Sequence, residues 1–216
     1  MLTSLTCLGL LFVAPAFALG TPCVTIEDFS AGTVGEFPPG WKLRKDKGRG
    51  VYTVQQEGGR RFLHASSRGL GIQAAKEFAW DLARYPVLEW SWRPVQFPAG
   101  SDERSAKTND SALAVYAVFP HSPVSLKSLK YIWSAVVPVG TRLSSSWGLT
   151  QVRVLGTGTA GRGEWKTERV NVIEDYRRAF DTADVPNPAG IAVLTDADDT
   201  NSVAEGDYAS FRSCAP

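Results

Sequence analysis

Apolar and polar residues alternate along most of this chain. The segments VYTVQQE at 51–57, RFLHAS at 61–66 and LGIQAAK at 70–76 are short, rich in β-branched and aromatic residues, and separated by Gly-Gly or Arg-Gly turn signals. That is the period-2 signature of strands. In VLEWSWRP, Leu88, Trp90 and Trp92 fall on one face, and Val87, Glu89, Ser91 and Arg93 on the other. SALAVYAVF at 111–119 is apolar on both faces and predicts a central strand covered on both sides, with Asp110 at its opening. Further strands are predicted at 24–29, 130–137, 149–155, 164–172, 189–195 and 207–213. GTGTAGRG at 156–163 predicts a hairpin connection. No Gly-Lys-Ser/Thr follows it, so it is not a phosphate loop. Only 173–180 has helical spacing, through Ile173, Tyr176 and Phe180, with Glu174 and Asp175 placed where the helix dipole favours acids. The sum predicts an all-β protein, an antiparallel β-sandwich of jelly-roll type with one short helix near 173–180.

Residues 8–17 form an apolar core, and Ala16-Phe17-Ala18 satisfies a small-x-small cleavage rule. This predicts a signal peptide over 1–18 and a single β-sandwich domain over 19–216, although residues 1–20 carry no Lys or Arg. The apolar run is shorter than the about 20 residues a membrane-spanning helix needs, and the mature chain is expected to hold no transmembrane segment. Of the three cysteines, Cys7 lies in the leader, while Cys23 and Cys214 bracket the rest. Their disulfide would place the protein in an oxidising compartment, periplasmic or secreted. It would also make strands 24–29 and 207–213 antiparallel neighbours. Charge adds little: 23 basic residues face 22 acidic ones, so no field steers the protein toward nucleic acid. The basic run Lys42 to Arg49 reads as a solvated loop before a strand.

Three blocks carry a resemblance. The start DFSAGTVGEFPPGW, the middle WSWRP…DERSAKTNDSALAVYAVF and the end WKTERVNVIEDYRRAF…GIAVLTDADDTNSVAEGDYASFR are together similar to the domain of unknown function 3047 family. The resemblance covers most of the mature chain and implies an exported bacterial protein. At the level of fold, the outer blocks also resemble galactose-binding-type jelly rolls, which host many carbohydrate-binding modules and license no function by themselves.

Two groups of residues could carry chemistry. In LTDADDTNSVAEGD, Asp196, Asp198 and Thr200 have the alternate spacing by which a loop aims several oxygens at one hard cation, and Asp207 follows. The expectation is a structural calcium, joined by Glu27 or Asp28 if the disulfide aligns the termini. Asn201 stands where an EF-hand needs Gly and helical flanks are missing, so an EF-hand is rejected. The plain alternative is a hydrated turn. The second group is Glu89, Arg93, Asp102, Glu103 and Asp110: a ligand site, the acids of a polysaccharide lyase or glycoside hydrolase, or structural ion pairs.

Among the aromatics, Trp41 after Pro-Pro-Gly and Trp147 after Ser-Ser-Ser sit in loops and are the better candidates for stacking on sugar rings. His64 and His121, the only histidines, exclude a His-rich zinc site. The reading that follows is a non-catalytic exported protein that binds a glycan or another envelope component. A carbohydrate-active enzyme or a scaffold partner in an envelope complex is the alternative.

Overall fold

The computed structural model describes residues 21–216, so the expected signal segment lies outside the described residues. In chain order the first strands are β1 (Cys23–Glu27), β2 (Trp41–Leu43), β3 (Tyr52–Glu57), β4 (Arg60–Arg68) and β5 (Ala74–Glu77). The long central ones follow: β6 (Val87–Gln96), β7 (Leu113–Ser122) and β8 (Ser125–Ser134). Then come β9 (Arg142–Ser145), β10 (Thr150–Thr157), β11 (Lys166–Asn171), the helix α1 (Val172–Phe180), β12 (Gly190–Leu194) and β13 (Val203–Cys214).

They form two facing sheets. One has the order β11-β6-β13-β4-β3, with β1 also paired to β13; the other runs β2-β5-β12-β7-β8-β10-β9. The fold is the antiparallel sandwich of jelly-roll type that the alternation predicts, with one exception, the parallel pair β8–β10. β13 is long enough to hold two partners on one edge: β4 along Val203–Tyr208 and β1 along Phe211–Cys214. A bulge at Ser210, where φ is 57°, separates the two registers. Cys23 and Cys214 are directly opposed and disulfide-bonded, so the first and last strands are antiparallel neighbours as expected.

The core follows from the pattern. Leu113, Val115, Ala117 and Phe119 of β7 face the space between the sheets, where Trp90 and Trp92 meet edge to face at 5.3 Å. Ala114 and Tyr116 point the other way. With Ile132, Val154, Ala192 and Leu194 they form a second apolar cluster on the outer face of the seven-stranded sheet, which explains a strand apolar on both faces. Tyr208 ties the sheets together: its hydroxyl donates to the Leu194 carbonyl at 2.9 Å and accepts from the Ala114 amide at 3.2 Å. The helix is capped by Asn171, whose side chain accepts from the Glu174 amide, and it lays Tyr176 on Phe119. No helix of the described residues is long and apolar enough to cross a membrane.

Three expectations are corrected. GTGTAGRG is not a hairpin, because it carries the chain from β10 in one sheet to β11 in the other. Its glycines serve close approach, since a Cβ on Gly156 would stand 2.5 Å from the Trp133 ring and one on Gly161 at 2.7 Å. The basic run from Lys42 to Arg49 is not all loop, because Lys42 and Leu43 belong to β2, which pairs with β5. The strand expected at 130–137 begins at Ser125 and forms a hairpin with β7.

Candidate functional site

The outer face of the seven-stranded sheet carries a groove of about 890 Å³. Every strand of that sheet contributes to it, from Leu43 on β2 through Ala75, Leu194, Tyr116 and Ser128 to Ser145 and Thr150 on β9 and β10. Because the groove crosses the strands, its length follows from strand spacing: six gaps of about 4.8 Å give roughly 29 Å. The β7–β8 turn, with Val124 exposed, walls one side.

A 3-10 turn at Ser146–Gly148 brings Trp147 beside this groove, between the lining residues Ser146 and Leu149. Trp147 is fully exposed. Ser146 and Trp147 both adopt left-handed backbone, each with φ 53°, a conformation costing about 1–2 kcal/mol for a residue with a side chain. Such strain is retained mostly where a site needs it.

Near the end of β12 three acids converge, Asp196 and Asp198 on the groove lining and Asp110 buried behind them. One carboxylate oxygen from each of Asp110, Asp196 and Asp198 lies within 4.8 Å of the others. The loop after β12 is pinned to make this possible. The Asp196 amide donates to the Ser111 carbonyl, and Asp110 accepts from the amides of Asp199 and Thr200 and from the Thr200 hydroxyl at 2.6 Å. Asp196 is only 8% exposed, and its Oδ1 has no hydrogen-bond partner among the described residues. Burial, reinforced by the neighbouring Asp198, pushes the Asp196 carboxyl up to about 8 despite the opposing charge of Lys130. Lys130 is itself buried beside Tyr116. Burial alone would lower its ammonium, but Tyr116 and Asp196 outweigh that and hold it above its ordinary value.

The residues expected as one metal corner are dispersed. Glu27 accepts from the Phe29 amide, the Trp41 indole and Lys76, and Asp28 caps Ser30. Asp207 is on the six-stranded sheet, away from the acid cluster, between His64 and Arg93, each at 2.7 Å. The disulfide does align β1 with β13, but in a register that sets Glu27 against Phe211 and leaves Asp207 well up the strand. Thr200 reaches the acid cluster only by donating its amide and its hydroxyl to Asp110.

The second expected group is dispersed too. Glu89 is buried between Arg169 and Arg212 on the outer face of the six-stranded sheet. Burial alone would raise its carboxyl, but hydrogen bonds from the two arginines outweigh this and hold it below its usual value. Arg93 joins Asp207 to Glu57. Asp102 pairs with Arg104, whose hydrogen bonds hold it at about 2. Glu103 is buried and accepts from the hydroxyls of Ser111 and Ser134. Only Asp110 moves to the groove cluster. Trp41 is not a stacking platform: it is 6% exposed, opens β2 facing the core and packs on Phe29 at 5.7 Å. Sequence reading missed Lys130, Tyr116 and Gly71; the polar Lys130 within an apolar strand was the available signal.

Comparison with known proteins finds several solved structures to which this chain is similar. It is similar to the solution structure of CtCBM11, with a TM-score of 0.44, 11% identity, and 93% of this chain and 99% of that one covered. A non-crystalline-cellulose-specific carbohydrate-binding module, CBM28, matches with a TM-score of 0.42, 10% identity, and coverage of 82% and 89%. Endoglucanase 3 of Trichoderma harzianum, from family GH12, gives 0.43, 12%, and coverage of 94% and 99%. No curated protein is similar at a significant level. The model of one protein family, described as protein of unknown function (DUF3047), matches residues 39–212, and the chain belongs to that family.

Proposed function

We propose that the protein is an exported, non-catalytic binder of an extended glycan, held in the transverse groove. The observation that carries this reading is the groove itself: a cleft crossing seven strands, its floor mixing Tyr116 and aliphatic side chains with serine hydroxyls, and Trp147 standing free at its edge. Sugars offer alternating hydroxyl and C–H faces, and hydroxyl-bonding side chains beside an exposed indole suit both. The Cys23–Cys214 disulfide supports an oxidising, extracytoplasmic location.

Titration calorimetry of the protein against neutral and acidic oligosaccharides tests the reading. Trp147→Ala is expected to weaken binding at least about tenfold, roughly 1.4 kcal/mol for an anchoring aromatic. Its circular dichroism spectrum should stay unchanged, because the side chain packs on nothing. Silence across both glycan classes would sink the proposal.

A carbohydrate-active enzyme is the second reading, favoured by one observation: Asp196, protonated near neutral pH, sits against a second carboxylate, Asp198. Spacing speaks against it. The acids of a glycosidase flank the bond they cleave, at about 5–5.5 Å or 6.5–9.5 Å, whereas here three oxygens crowd within 4.8 Å. Such crowding suits a shared positive charge better than a sugar ring between the groups.

A further inference from the structure

The acid cluster beside the groove has details that suit a cation. Asp110, Asp196 and Asp198 come from two loops, 97–112 and 195–202, and reach one point. Asp196 Oδ1 is buried without any donor; burying a carboxylate oxygen unpaired costs several kcal/mol in general. That oxygen faces Asp198, because a Cβ placed on Gly71 would lie 2.4 Å from Asp196 Oδ1 and 2.7 Å from Asp198 Oδ1. The absent side chain at Gly71 leaves the cradle open. Lys130 supplies the one positive charge beside these three acids, and a divalent ion would let all three serve as carboxylates. Asp199, exposed beside the cluster, adds a fourth acid.

We infer that Asp110, Asp196 and Asp198 hold a divalent cation, calcium by the chemistry of an all-oxygen set, and that its open positions face the groove and bind a carboxylate of an acidic glycan. The first half rests on the orphaned Asp196 oxygen and the Gly71 cradle. Calcium takes 6–8 oxygens, and three carboxylates leave positions for an outside ligand. The second half rests on the glycan reading above and on what surrounds the cluster. Asp196, Asp198 and Gly71 all line the groove, so the ion is reached from it. Arg44 lines the same groove, its amide bonded to the Gln73 carbonyl two residues from Gly71. Its guanidinium has no ion-pair partner among the described residues and suits a carboxylate by forked hydrogen bonding. A hard cation with an arginine beside it selects uronates over neutral sugars. The ion and Trp147 are then separate contacts, at least three strand spacings or about 14 Å apart, on one extended chain.

Calorimetry on the chelator-treated protein separates the parts. Titrated with calcium chloride alone to about 10 mM, past the roughly 10⁻⁴–10⁻³ M constants of extracellular calcium modules, the protein should bind one ion. Asp198→Asn, at an exposed position, should weaken this at least about tenfold, a change of about 1.4 kcal/mol. Gly71→Ala, which fills the cradle, should do the same. Absence of calcium binding overturns the inference. In the second arm, short oligogalacturonates should bind with calcium and lose at least about tenfold in affinity with chelator, while cello-oligosaccharides bind more weakly. Tight cello-oligosaccharide binding that ignores the chelator overturns the inference and leaves the groove reading standing. Calcium binding with no glycan of either class bound keeps the ion, and removes both the groove reading and the ligand named here.

Discussion

His64 and Asp207 meet on the outer face of the six-stranded sheet, where Asp207 is almost wholly buried and His64 about one-third exposed. The Asp207 hydrogen bond favours the imidazolium, burial opposes it, and the hydrogen bond wins, raising the His64 pKa above 6.5. The sign follows from linkage: a group whose folded pKa is raised contributes stability that is complete below the unfolded value and fades as pH rises through the folded one. Thermal denaturation from pH 6 upward should therefore show wild type losing more stability above pH 6.5 than His64→Gln, which keeps only the slope contributed by the raised Asp196 carboxyl. Parallel curves would mean that the pair does not titrate in this way. Polar residues inside a β-rich core are poorly legible from sequence for the same reason. Whether Asp207 meets a cation, a histidine or a metal depends on register, and register is set by the whole sheet.

Elements were legible where their period was long enough to count. β6 and β7 each span ten residues, and alternation predicts both the face of Trp90 and the two-sided burial of β7. The helix was legible from three apolar positions and its acids. Its cap sharpens that: Asn171→Ala should cost about 1 kcal/mol, measurable as a lower urea midpoint with unchanged slope, because one helical N–H loses its acceptor. The two edge strands of the seven-stranded sheet escaped notice. β2 has three residues and β9 four, too few for any period, and each is held by one neighbour rather than by its own pattern. The crossover 156–163 was misread because glycine signals a turn and a close approach alike. Only the position of Trp133 tells them apart.

At the scale of the molecule, fold class follows from alternation, but the groove does not, because it draws one to three residues from each of seven strands and no segment carries its signature. Asp110 illustrates the limit: sequence proximity groups it with Asp102 and Glu103, whereas the loop after β12 takes it for Asp196. Closure of the fold is covalent. Cys23 and Cys214 are 191 positions apart, and a loop of that length stabilises by up to about 5 kcal/mol in the chain-entropy model. The double variant Cys23→Ala, Cys214→Ala should lose no more than that in denaturant titration. A loss much above it would show that the bond also shapes the native strands.

The same bond decides where tension goes. Any pull on the backbone from outside Cys23 and Cys214 enters at one sulfur and leaves at the other, so the sheets and the groove on the outer face of one of them carry none of it. Were the bond cut, the strands would bear the load, and full extension would release roughly 650 Å of chain at about 3.4 Å per residue. A fold stapled in this way keeps the outer faces of its sheets in shape under a pull applied at its ends.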